Sequence, residues 1–174
     1  MKFLSNVRLL LLVLWLGAAA FFSFAVAPSA FAVLPSRELA GAMVSRSLMI
    51  VNISGLVIGL ILLTTAFFSS RGANLFFIWI ERLLLLIVAA ACAVGHFVIG
   101  LWLSFVRAEI GRPIDELAMD DPLRIKFNNL HEYSVWILVG AMIAALLAFF
   151  IISAKNWTPE KETKNLDFQN DFKI

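Results

Sequence analysis

Charge is scarce in this 174-residue chain, where Asp, Glu, Lys and Arg together make up only 15% of the residues. Soluble domains carry about 25%, so a water-facing shell of ordinary density is excluded. Cysteine occurs once, at Cys92, which rules out an intrachain disulfide and leaves the redox compartment unreadable. The net charge of +2 is small, and no basic run is interleaved with aromatics, so nucleic acid is not an expected partner. There is no phosphate-binding glycine loop, no nucleophile elbow and no paired-carboxylate arrangement. The expectation is therefore a protein that is not an enzyme.

Long apolar runs take the place of charge. The chain is 61% hydrophobic with 16 Phe and a mean hydropathy of +0.92. A bilayer core is about 30 Å thick and a helix crosses it with roughly 20 apolar residues. Four runs meet that length, at about residues 9–33, 44–68, 75–103 and 133–152. The fold class read from them is an all-α membrane protein. Its four transmembrane helices form an antiparallel bundle with short connections and one larger loop between helices three and four. Residues 1–154 form this domain, and residues 155–174 are a polar tail.

Local signals fill in the outline. Lys2 and Arg8 precede the first run, and Ala30-Phe31-Ala32 within it has the A-x-A form of a signal-peptidase site. The run exceeds the 7–15 residues usual for a signal sequence, so a retained first helix is expected, with cleavage after Ala32 as the competing reading. Pro28 removes a backbone donor and should kink the helix. Leu34-Pro35-Ser36 reads as a tight connection, with Glu38 in the next first turn, where a carboxylate suits the helix dipole. Residues 69–74 read as a short turn. Pro113 opens a candidate short helix with Ile110, Ile114 and Leu117 on one face, and Asp121-Pro122 resembles an N-cap followed by Pro at the first helical position.

Four spans place both termini on one side. Eight Lys/Arg (Lys2, Arg8, Arg71, Arg82, Lys155, Lys161, Lys164 and Lys173) fall on that side and six on the other. The bias places both termini in the cytoplasm, and compact loops favour a bacterial inner membrane as the location. Trp79, Trp102, Trp136 and Trp157 sit toward span ends, as an aromatic belt requires. Gly55 and Gly59, Ala91 and Gly95, and Gly140 and Ala144 are small-residue pairs four apart. Such pairs let helix backbones approach closely. Packing within the bundle is the first reading of them, and a homo-oligomer interface the second.

Leu14-Trp15-Leu16-Gly17, Phe21-Phe22, Ala27-Pro28, Leu34-Pro35-Ser36 and Ala40-Gly41 resemble the amino-terminal pattern of the transmembrane protein 205-like family. Near the fourth span, Phe127, Leu130-His131 and Ser134 are similar to that family's Phe, Leu-His and Ser pattern. The resemblance covers most of residues 9–152. It implies a four-helix membrane domain of unsettled biochemical role and brings no catalytic motif. The stretch around His96 and the tail lie outside it.

Ionisable groups inside a span are costly and mark candidate sites. His96 is the deepest ionisable residue by sequence position, with Cys92 one turn earlier. Thiolate and imidazole at this spacing suit a soft or borderline metal. His131, near the outer end of the fourth helix, would approach the same half of the bundle. Cys92, His96 and His131 are thus the candidate metal ligands, and haem or copper the cofactor they would hold. The plainer reading makes them packing and interfacial residues, with no cofactor expected. Asn52 and Ser54 either bind a polar ligand or make an interhelical hydrogen bond. Arg46 is positioned to pair with Glu109 or Glu132, and Glu81-Arg82 to snorkel to the inner interface.

Three functions remain: a non-enzymatic membrane component or scaffold, a carrier for a small solute or metal ion, and a haem or copper redox protein using His96 and His131. The partners expected are the lipid bilayer and a second copy or another membrane protein.

Overall fold

A computed structural model describes residues 2–68 and 75–157. The turn expected at residues 69–74 and most of the polar tail lie outside the described residues. Helix α1 (Lys2–Phe21) passes through a π-helical turn at Phe22–Val26 into α2 (Ala27–Val33), making one rod. Helix α3 spans Arg37–Phe68. Helix α4 (Leu75–Ala93) passes through a second π-helical turn, Val94–Gly100, into α5 (Leu101–Ile110). A single 3-10 turn at Ile114–Glu116 precedes α6, Pro122–Trp157. Four helical rods are long and apolar enough to cross a membrane: Phe3–Val33, Arg37–Phe67, Leu75–Ile110 and Pro122–Ala154.

Each rod is longer than its apolar run. Helices of 31 to 36 residues rise about 46–54 Å at 1.5 Å per residue, against a hydrocarbon core of about 30 Å. Their ends therefore stand among headgroups and water. The fourth helix begins at Pro122, eleven residues before the apolar run starting at Tyr133. Its start is fixed by Asp121, whose Oδ1 accepts the Leu123 N–H at 2.8 Å. Ser36 does the same for α3, its Oγ accepting the Leu39 N–H at 3.2 Å. The third rod ends where Gly111 turns left-handed at φ 64° and its N–H bonds the Arg107 carbonyl at 3.2 Å. Only glycine enters that backbone region without steric cost. The short helix anticipated from Pro113 is one 3-10 turn, although Leu117 is buried.

The rods close a ring in which α3 packs on α4, α4 on α6, α6 on α1 and α1 on α3. Leu12, Trp15, Leu62, Leu85, Val88, Ala145, Ala148 and Ile152 fill the shared core. The perimeter is apolar as well, and Phe3, Phe24 and Leu75 are each more than 70% exposed. Water would penalise that surface at roughly 25 cal/mol per Å², whereas lipid tails do not. Trp79 and Trp102 are exposed toward the ends of their rod, where an indole has one apolar and one wet neighbour, and Trp136 is exposed near the start of the apolar run of α6.

Pro28 does not break the first rod. The π-helical turn immediately before it places the Ala27 N–H on the Phe22 carbonyl, five residues back. The ring of Pro28 thus enters a wider coil at the start of α2. Ser23 Oγ donates to the Ala19 carbonyl at 2.9 Å within the same segment.

Candidate functional site

The interior is built on small residues of α3 facing larger ones. A Cβ at Gly55 would collide with the Trp15 indole and would sit 2.6 Å from Cys92 Sγ. Glycine at this position is what lets α1 and α4 meet α3. Trp15 Nε1 donates to the Val51 carbonyl at 3.0 Å, which gives a buried indole its partner. Ser54 Oγ donates to the same carbonyl at 3.0 Å, so Ser54 bonds its own helix. At Gly59 a Cβ would meet the Ala89 backbone at 3.3 Å, and at Gly95 it would meet Asn52 Nδ2 at 3.1 Å. Asn52 is itself buried and packs its amide onto the bare backbone of the second π-helical turn. Gly140 has nothing within 4 Å of a built Cβ. In α6 the inward small residues are Ala141, Ala144, Ala145 and Ala148.

Cys92, His96 and His131 occupy different surroundings. The Cys92 sulfur is buried and, like the Trp15 indole, lies against Gly55. His96 lies in the π-helical turn that begins at Val94, only partly buried. Its ring meets Phe97 edge-on at 4.7 Å, and Phe97 is on the exposed perimeter. His131 is exposed on α6. Among the described residues, no group of three or more His, Cys, Asp or Glu side chains is placed to hold one metal ion.

Among the described residues, the most deeply buried Asp, Glu, Lys, Arg or His side chains are instead those of Arg8 and Glu81, each residue 4% exposed. They form an ion pair between α1 and α4. Arg8 Nη2 also reaches the Leu62 carbonyl of α3 at 3.4 Å, so one guanidinium joins three helices. Arg8 Nε is buried and has no hydrogen-bond partner among the described residues. Glu81 was expected to snorkel outward with Arg82; it points inward. Adjacent residues on a helix are about 100° apart, and only Arg82 faces the rim. There its guanidinium lies 4.1 Å over Phe67 and 5.9 Å from Trp79, and Nη2 donates to the Ala66 carbonyl at 3.5 Å.

The sequence carries a signal for the pair. Arg8 and Glu81 lie at similar depths into rods that start from the same side of the bundle. Opposite charges at matched depth on parallel rods are natural partners, because either alone would be an uncompensated buried charge.

At the other end, Arg37 and Asp115 form an exposed ion pair at 3.4 Å. Arg107 lies 5.6 Å over Phe127, linking α5 to α6. Arg46 is exposed and makes no ion pair with Glu109 or Glu132 among the described residues. Trp102 of α5 and Ile125, Lys126, Asn129, Leu130 and Tyr133 of α6 line a groove of about 470 Å³.

The model of the family described as Domain of unknown function (DUF4149) matches residues 10–112, more than half of the chain, and the chain belongs to that family. No curated protein and no solved structure matches it. The matched stretch contains Trp15, Asn52, Gly55, Glu81, Cys92 and His96 and ends just after α5.

Proposed function

We propose that this DUF4149-family protein is a non-enzymatic membrane component whose role is exercised through its surface, by contact with lipid, a second copy or another membrane protein. The observation that supports this most is the occupancy of the helix interfaces. Gly55 is covered by Trp15 and Cys92, Gly59 by Ala89, and Gly95 by Asn52. Side chains from three helices thus meet where a permeation route or cofactor would need room. The resemblance to the transmembrane protein 205-like family supports the same reading. So does Trp15, whose indole packs the first helix against α3. The Lys/Arg bias favours both termini in the cytoplasm, and the compact loops and the family resemblance favour a bacterial inner membrane.

A second reading, small-ion transport, is favoured by one observation. Arg8 and Glu81 are ionisable groups buried between apolar helices, and such groups often mark ion routes.

Two measurements on detergent-purified protein separate these readings. The component reading expects iron, copper and zinc well below one per chain. It also expects proteoliposomes no more permeable to protons and small cations than protein-free vesicles. Near-stoichiometric metal that disappears in His96→Ala or His131→Ala overturns it in favour of a haem or copper redox protein. Cation flux that disappears in Glu81→Gln overturns it in favour of transport.

A further inference from the structure

The groove between α5 and α6 has an amphipathic order along its length. Lys126, Asn129 and Tyr133 follow one another at spacings of three and four, on one face of α6. Leu130 is the buried floor, packed in a small cluster with Ile99 and Val106. Trp102 and Tyr133 are exposed walls, 56% and 57% accessible, at the level where the apolar run of α6 begins. Lys126 lies seven residues farther out, about 10 Å along the helix, among the headgroups. No carboxylate lines the groove, and Lys126 forms no ion pair among the described residues. The neighbouring arginines are engaged elsewhere: Arg124 donates to the Leu117 carbonyl and Arg107 covers Phe127.

We infer that this groove is a binding site for one anionic phospholipid of the surrounding leaflet. The lipid phosphate sits against the Lys126 ammonium, which has no competing carboxylate in the groove. The Asn129 amide donates to a phosphate or glycerol oxygen. One acyl chain descends between the Trp102 and Tyr133 rings. A phospholipid has this sequence of chemistry along its length, with charge outermost, then an amphipathic zone, then hydrocarbon. A volume of about 470 Å³ takes the headgroup and the start of one chain. The site is on the bundle surface and is independent of whether the interior carries ions.

The test uses the intact protein and lipids brominated on the acyl chain, which quench nearby indoles. Trp102→Phe supplies the background of the other tryptophans, so the difference reports Trp102. Brominated phosphatidylglycerol is expected to quench that difference signal with about five-fold tighter apparent binding than brominated phosphatidylcholine. One lysine beside an anionic headgroup contributes about that factor. Lys126→Gln is expected to abolish the preference while leaving the thermal midpoint unchanged, as befits an exposed residue. Equal quenching by the two lipids, or a preference that survives Lys126→Gln, overturns the proposal. Quenching by neither lipid, together with a dimer crosslinked through Ile125→Cys, also overturns it and assigns the groove to a second copy.

Discussion

The Trp15 indole occupies the space that Gly55 leaves by having no side chain, and its nitrogen is held by the Val51 carbonyl one turn away. Bulk on one helix is thus matched to absence on its neighbour. Lipid offers no hydrophobic drive for helix association, so such fits supply much of the attraction between spans.

Gly55→Ala should destabilise the bundle by about 1–3 kcal/mol, the usual cost of overpacking. The new methyl would strike Trp15 and Cys92 Sγ. Gly59→Ala should also destabilise it, because the nearest atoms include the Ala89 backbone. Gly17→Ala and Gly140→Ala have open space and should be neutral or mildly stabilising, since alanine is the better helix former by about 1 kcal/mol. Thermal unfolding of the four variants in one detergent checks the order.

Neutralising either member of the Arg8–Glu81 pair takes the opposite buried charge away from the other. Arg8→Gln or Glu81→Gln should each cost about 3–5 kcal/mol. The double replacement Arg8→Met with Glu81→Leu should recover most of that loss, because a buried pair often contributes little beyond an apolar substitute. Unfolding titrations of the three variants decide the matter. A double variant no more stable than either single one contradicts the account.

His131→Ala should change unfolding free energy by no more than about 0.5 kcal/mol, as for most surface substitutions. His96→Ala should leave detergent-purified protein monodisperse with an unaltered visible spectrum. A band lost in either variant would show bound haem or copper.

Asp121→Ala removes the acceptor of the Leu123 N–H. Loss of an N-cap costs about 0.5–2 kcal/mol, and the effect should be local. Hydrogen exchange should rise in the first turn of α6 and stay unchanged around Ala145.

The membrane architecture was legible because apolar run length is a coarse signal that depends on no particular neighbour. The cap at Asp121 was legible because its hydrogen bond closes within two residues. The Arg8–Glu81 pair was harder, since it depends on which rods are parallel and how deeply each begins. Run lengths also hid the full helices. The polar residues from Pro122 to Glu132 continue α6 beyond the apolar stretch, so hydropathy marks where lipid ends and not where the helix does. His96 stood out by its position between apolar neighbours, but its direction is set by the π-helical turn, which no residue in Val94–Gly100 announces.

The π-helical turn in the first rod has a bearing on chain length. Core positions there run Leu12, Trp15, Ala19 and Phe22, at steps of three and four. The next buried position, Ala30, follows after eight residues where two regular turns would use seven. The chain thus holds one residue of slack between Phe22 and Ala30. Deleting a single residue there should let the segment wind as ordinary α-helix with Ala30 still facing inward. The same deletion between Leu12 and Trp15 would swing one side of the rod by about 100° and turn its core residues toward lipid.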